Sequence, residues 1–203
     1  MPLAKPLANA RGSDQSRDRE GAVASPSTEF APERVCATGM EGTIVQVNIS
    51  LGGLPKRAIA VGFVNSLGIE GDRHAHPEFH GGERQAILLI ASEVIDGLTA
   101  RGYPLFYGAL GENLTTRGID VRDLRIGDQI RAGGALIEIT QPRGPCMQLD
   151  IYGGSLKYDI YDQRVKERDH TSPHWGMSGF YASVVSPGPV GPGDIITVVA
   201  KLA

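Results

Sequence analysis

Cysteine is almost absent from this chain: 203 residues hold only Cys36 and Cys146. Two thiols cannot build a disulfide framework, and their scarcity fits a reducing compartment. No apolar run is long enough to span a bilayer. Met1 to Ala10 lacks the apolar core of a secretory signal. Charge of one sign is also lacking. The net charge is −3 with both signs interspersed, so no basic face offers the phosphate attraction that nucleic-acid binding needs. These absences give an expectation of a cytoplasmic protein with neither nucleic-acid nor membrane partners. Aromatic residues are few, 6% with one tryptophan, whereas glycine is plentiful at 27 and proline reaches 13. That mixture points to many turns and short strands rather than long helices.

The chain divides by composition. Residues 1–39 are read as a disordered tail, because Ala10 to Gly21 is polar, mixed in charge and without period, and Ala24 to Thr28 has a linker-like make-up. Residues 40–203 are read as one domain. Met40 stands directly before the first strand-like run and is the expected physiological start. Strands are expected over 42–48, 57–63, 125–131, 135–140, 179–185 and 193–199, with Gly133-Gly134 closing a hairpin. Residues 85–90 form a short apolar run. Beyond it, Val94, Ile95 and Leu98 share one helical face, with Ser92 as N-cap and a stop at Gly102. Gly-Asp leads into a strand at 127–128 and again at 193–194, as a turn requires. The expected fold is mainly β, a closed or partly closed barrel with a few peripheral helices.

Four segments concentrate chemistry. In Gln141-Pro142-Arg143-Gly144-Pro145-Cys146, two prolines and a glycine set a stiff backbone path beside a thiol. Arg143 places a permanent cation near the sulfur, which favours thiolate, the form that attacks, carries sulfur or binds metal. A small buried apolar cysteine is the plain alternative. Residues 68–82 place His74, His76 and His80 within seven positions beside Asp72, a set with the donor types of a zinc shell or of a polar loop that binds an anion. Gly111-Glu112-Asn113-Leu114 puts an acid and an amide at a strand edge. Asn113 can donate and accept at once, which suits either a heterocycle edge or a turn cap. Trp175 lies between His174 and Gly176, as a core residue or as a wall for a flat ligand.

Taken together these segments resemble the MOSC domain, the module found at the C-terminus of molybdenum-cofactor sulfurases. The matching order runs Gly-x-x-Gly-Asp-x-His at 68–74, His-Gly-Gly at 80–82, Gly-Glu-Asn-Leu at 111–114 and Ile-Gly-Asp at 126–128. It continues with Gln-Pro-Arg-x-Pro-Cys at 141–146 and Gly-Asp-x-Ile at 193–196. Each motif is weak alone; six in order across residues 42 to 200 are specific. The stretch 73–80 is longer and richer in histidine than the shortest family versions, and the tail has no counterpart in the pattern. The resemblance implies a barrel of the MOSC or pyruvate-kinase-barrel type with a reactive cysteine in a cleft. It also implies the molybdenum cofactor (molybdopterin) as ligand.

Three functions follow as expectations. The first is a molybdenum-cofactor oxidoreductase reducing N-hydroxylated compounds, with Cys146 as catalytic residue and molybdenum ligand. There Asp72, His74, His80, Arg84, Asn113 and Arg143 bind the cofactor, with His80, Arg84 and Arg143 on its phosphate and Asn113 on the pterin edge. The second is a sulfur carrier with a persulfide on Cys146. The third is a zinc hydrolase built on Asp72, His74, His76 and His80. The first two require a separate electron-donor or sulfur-donor protein, and the first a small-molecule substrate.

Overall fold

The structure is a computed structural model that describes residues 39–75 and 81–201. The expected tail over 1–39, apart from Gly39, lies outside the described residues, as do Cys36, His76 and His80.

Among the described residues, eleven strands and three short α-helices make up the fold. β1 is Glu41–Ile49, β2 Arg57–Ile59, β3 Gly62–Asn65, β4 Gly68–Ile69, β5 Ile87–Ala91 and β6 Leu114–Arg117. β7 is Gln129–Ala132, β8 Ala135–Pro142, β9 Phe180–Ser186, β10 Gly188–Val190 and β11 Ile195–Ala200. The helices are α1 Ser92–Ala100, α2 Leu156–Asp159 and α3 Gln163–Lys166. The larger sheet runs β11-β7-β8-β9-β5-β6-β1-β2, and a further β11–β1 pairing closes seven of its strands into a barrel. Closure removes the open edges that would otherwise invite pairing with other chains. Among the described strands only β5 and β6 are parallel; α1 and the chain after it carry the crossover between them. A second sheet holds β10, β3 and β4.

The barrel is filled rather than hollow. Ile44, Val47, Ile87, Leu89, Leu114, Ile130, Ile137, Ile139, Phe180, Ile196 and Val198 meet inside it, all essentially sealed from solvent. Period-two alternation then forces the intervening side chains outward. Leu88, Ile90 and Tyr181 therefore leave the outer wall and meet a second apolar cluster with Ile95, Leu98, Leu110, Leu149 and Ile160. β5 is buried along its whole length because both of its faces are covered.

The sequence reading holds for β1, for the Gly133-Gly134 hairpin with Ala132 opposite Ala135, and for both C-terminal strands. The expected strand over 57–63 is instead two strands in different sheets, broken at Ala60 and Val61, because β3 turns to pair with β10 and β4. Ala91, not Ser92, caps α1. Ser92 is the first helical residue and is buried, its hydroxyl accepting from Arg117 Nε at 3.0 Å. α1 ends as expected, with Gly102 at φ +97. Both Gly-Asp pairs are turns: Asp128 accepts from the Arg125 N–H and Asp194 from the Gly191 N–H.

Candidate functional site

The segments bearing Cys146, His74 and Asn113 reach one cleft on the outer wall of the barrel. β8, β9, β5, β6 and β1 are successive neighbours in the wall, and chain from or beside each of them lines this cleft. It opens to solvent and has a cavity volume of about 60 Å³. Leu54, Leu88, Leu110 and Gly111 form its apolar part, and Lys56, Arg73, His74, Asn113, Arg143, Cys146 and Tyr181 its polar part.

β8 delivers the Arg-x-Pro-Cys segment through an irregularity. Its register against β9 slips between Ile139 and Gln141, and the intervening Thr140 donates to the Arg84 carbonyl at 2.6 Å or the Tyr181 carbonyl at 3.0 Å. A bulge of this kind re-aims the residues that follow it. Arg143 is then clamped at its backbone. Its N–H donates to the Gly179 carbonyl at 2.9 Å, and its own carbonyl accepts from Ser178 Oγ at 2.6 Å. Arg143 is only 4% exposed, and its Nη2 donates to the Leu110 carbonyl at 3.0 Å. Nη1 is buried with no hydrogen-bond partner among the described residues. A buried cationic donor left unpaired beside a cleft costs free energy that a ligand oxygen would recover.

Cys146 is a free thiol, half-buried, and packs against the second apolar cluster. It precedes the short 3₁₀ turn Met147–Tyr152, whose Leu149 N–H donates to the Cys146 carbonyl. Tyr181 stands beside both Arg143 and Cys146. Burial pushes its hydroxyl above the ordinary phenol range, and Arg143 opposes that rise.

Three expectations change. Asp72 is not free to hold a ligand: its carboxylate accepts from Lys56 Nζ, from Asn113 Nδ2 at 2.8 Å and from the Ser50 N–H at 2.8 Å. It positions Lys56 in the cleft wall. Asn113 lines the cleft, yet its amide is used within the protein. Oδ1 accepts from the Leu88 N–H, and Nδ2 donates to Asp72 and the Asn48 carbonyl. The amide ties β1 to β5, so it has little left with which to read a pterin edge. Arg84 is exposed and is not among the described residues lining the cleft. No cluster of three or more His, Cys, Asp or Glu able to hold a metal occurs among the described residues. Trp175 is core, 1% exposed, with its indole N–H donating to the Leu124 carbonyl. Its surroundings also border a second groove beside α1.

Two residues emerge that the motifs did not single out as ligand-side groups. Lys56 is 6% exposed and lines the cleft. Burial lowers its ammonium below the ordinary range, with Asp72 pulling the other way. No sequence signal marks it, since a lysine after Pro55 reads as a surface residue. Glu112 is not at a strand edge but fully buried ahead of β6. Its Oε1 accepts from the Gly108 N–H and from Thr115 Oγ1, while Oε2 has no partner among the described residues. Burial pushes its carboxyl above the usual carboxylate range, against those hydrogen bonds and the Arg143 charge.

Comparison with known proteins agrees with this architecture. The family model for the MOSC domain matches residues 76–197. The chain belongs to the MOSC domain family. It is 32% identical over 145 residues to the protein YiiM of Escherichia coli, an alignment covering 69% of this chain and 60% of YiiM. The crystal structure of YiiM from Escherichia coli superposes with a TM-score of 0.56 at 27% identity, over 80% of this chain and 71% of that one. A protein named as a reductase in Gibberella moniliformis is 28% identical over 68% of this chain, but this match spans only 24% of the fungal protein. The chain thus spans less than two thirds of the length of the curated relatives that it matches. Among the described residues, no helix is long and apolar enough to cross a membrane.

Proposed function

We propose that this chain binds the molybdenum cofactor in the Cys146 cleft and reduces N-hydroxylated compounds, with Cys146 thiolate as the protein ligand to molybdenum. The observation that carries this reading is Arg143 Nη1, buried and unpartnered beside a free thiol in the same cleft. The residues present fit such a group: a thiolate is a soft donor suited to a sulfur-rich metal site, and a guanidinium matches phosphate oxygens. The similarity to a protein named as a reductase supports the reaction class.

When bound, the cofactor supplies the two-electron redox couple. The chain's own groups bind, orient and exclude. Arg143, held at its backbone by Gly179 and Ser178, offers Nη1 to a phosphate oxygen without rearranging. Lys56, fixed by Asp72, adds a second cation and a proton-bearing group to the wall. Leu54, Leu88 and Leu110 keep one side of the cleft apolar, which strengthens each charge interaction inside it. Reduction of a hydroxylamine to an amine takes up two electrons and two protons and releases water. Those electrons come from a separate donor protein, and the reducing compartment indicated by cysteine scarcity suits that arrangement.

Molybdenum and pterin content tests the reading, measured on protein purified from a host that makes the cofactor, with Cys146→Ala alongside. About one molybdenum per chain, absent from the variant, is expected. Neither molybdenum nor pterin in the wild type would overturn the reading and favour a persulfide carrier on Cys146.

A further inference from the structure

The Gly108–Asn113 turn buries Glu112 completely, and this carboxylate does not line the cleft. Oε1 is satisfied by the Gly108 N–H and Thr115 Oγ1, and Oε2 by nothing among the described residues. The charged and titratable groups acting on it are Arg143, Lys56 and Tyr152. Lys56 is already committed to Asp72. Both cations favour an ionised Glu112, but Arg143 is the one with a buried atom, Nη1, that has no partner among the described residues. Arg143 Nη2 donates to the Leu110 carbonyl, in the same turn as Glu112, and Arg143 also lines the Cys146 cleft, so one guanidinium touches both the turn that holds the buried carboxyl and the cleft.

An anion seated on Nη1 consumes that support. The anion and an ionised Glu112 are like charges sharing one cation in a poorly solvated region, and the cheapest relief is a proton on the carboxyl. We propose that Glu112 is a positioning residue that couples anion binding in the Cys146 cleft to uptake of one proton, leaving the full charge of Arg143 to the ligand. The proposal rests on the reading of Arg143 as the anion-binding group of the cleft, and the two can fail separately.

Linkage fixes the sign: a ligand that takes up a proton binds more tightly as pH falls. Sulfate is the probe, because it does not titrate between pH 5 and 9. Calorimetric titration of the intact chain is run at constant ionic strength, across that range and in buffers of differing ionisation heat. Wild type is expected to tighten by up to tenfold per pH unit at its steepest, with close to one proton taken up there. Glu112→Gln is expected to bind at the acid-limb affinity throughout, with a flat profile and no proton uptake. His74 also lines the cleft, so His74→Gln is measured in parallel and should keep the wild-type slope. Thr115→Val removes one donor to Oε1 and should move the midpoint to higher pH without abolishing the slope, a readout independent of how well Glu112→Gln folds.

A wild-type slope that survives in Glu112→Gln, or that vanishes in His74→Gln, overturns the proposal while leaving anion binding intact. Sulfate binding unchanged in Arg143→Met would instead overturn the assignment of Arg143, and the proposal with it. Molybdenum retention in the same variants reports on the cofactor reading separately.

Discussion

Lys56 donates to Asp72, sixteen residues further along the chain, and the two side chains are only 6% and 4% exposed. Asp72 also accepts from Asn113 and from the Ser50 N–H, so one carboxylate gathers the β1–β2 connection, the segment after β4 and the turn before β6. The cleft wall is therefore built around a buried ion pair. Such pairs are costly to break from one side even where their net contribution is small.

Asp72→Asn leaves the Lys56 ammonium buried without its counter-charge. A loss of roughly 3–5 kcal/mol in unfolding free energy is expected at neutral pH. Lys56 already sits below its ordinary range through burial, and removing Asp72 lowers it further. The unfolded chain then binds the proton that the folded one rejects, so stability of the variant rises with pH toward the ordinary lysine range. Urea melts at pH 7 and pH 9 check both statements. Equal stability of variant and wild type at both values would show the pair to be irrelevant.

Glu112 gives the opposite slope. Its folded carboxyl lies above the ordinary carboxylate range, so the folded protein keeps a proton that the unfolded chain has released. The associated stability is fully present below the ordinary carboxylate value and is lost as pH rises through the raised folded value. Inside that window the loss is at most about 1.4 kcal/mol per pH unit. Glu112→Gln should flatten this part of the stability profile, measured by thermal melts from pH 4 to 8.

Gly179 holds the loop that clamps Arg143. Its φ is +85, and a Cβ there would stand 2.5 Å from Ile90 Cγ1 and 2.6 Å from the Leu89 carbonyl oxygen. A left-handed conformation alone costs an L side chain about 1–2 kcal/mol, and the backbone overlap adds to it. Gly179→Ala is expected to lower the unfolding free energy by more than ~2 kcal/mol and to weaken anion binding, because Arg143 loses its anchor. Chemical denaturation with wild-type stability would refute this.

Arg84 and Arg143 separate the motif reading from the geometric one. Arg84→Ala is expected to leave molybdenum and pterin content unchanged, since its side chain is exposed and away from the cleft lining. Arg143→Met should abolish retention. Cys146→Ala should do the same, with a stability change under about 1 kcal/mol because the thiol is only half-buried. Metal analysis together with thermal melts decides among these outcomes.

Much of the barrel was legible because period-two alternation and glycine turns are local signals. The runs 42–48, 135–140 and 193–199 announce strands from sequence alone, and Gly133-Gly134 announces its hairpin, whereas β6 at Leu114–Arg117 was not announced. The break at Ala60 was not legible, because it depends on where β3 finds partners some 125 residues away in β10.

The sequence by itself determined the strand-rich architecture, the MOSC motif order and the Arg-x-Pro-Cys segment, because turn chemistry and alternation act over a few residues. Tertiary structure alone decided which polar groups are spent on bonds within the protein and which are left open in the cleft. Asp72, Asn113 and Arg84 looked like ligand-side residues by type. The first two are occupied within the protein, and the third faces solvent. Lys56 and Glu112 are buried ionisable groups whose burial no local pattern marks. The physical reason is that desolvation and hydrogen-bond satisfaction belong to the three-dimensional surroundings of an atom, and chain neighbours supply only a small part of those surroundings.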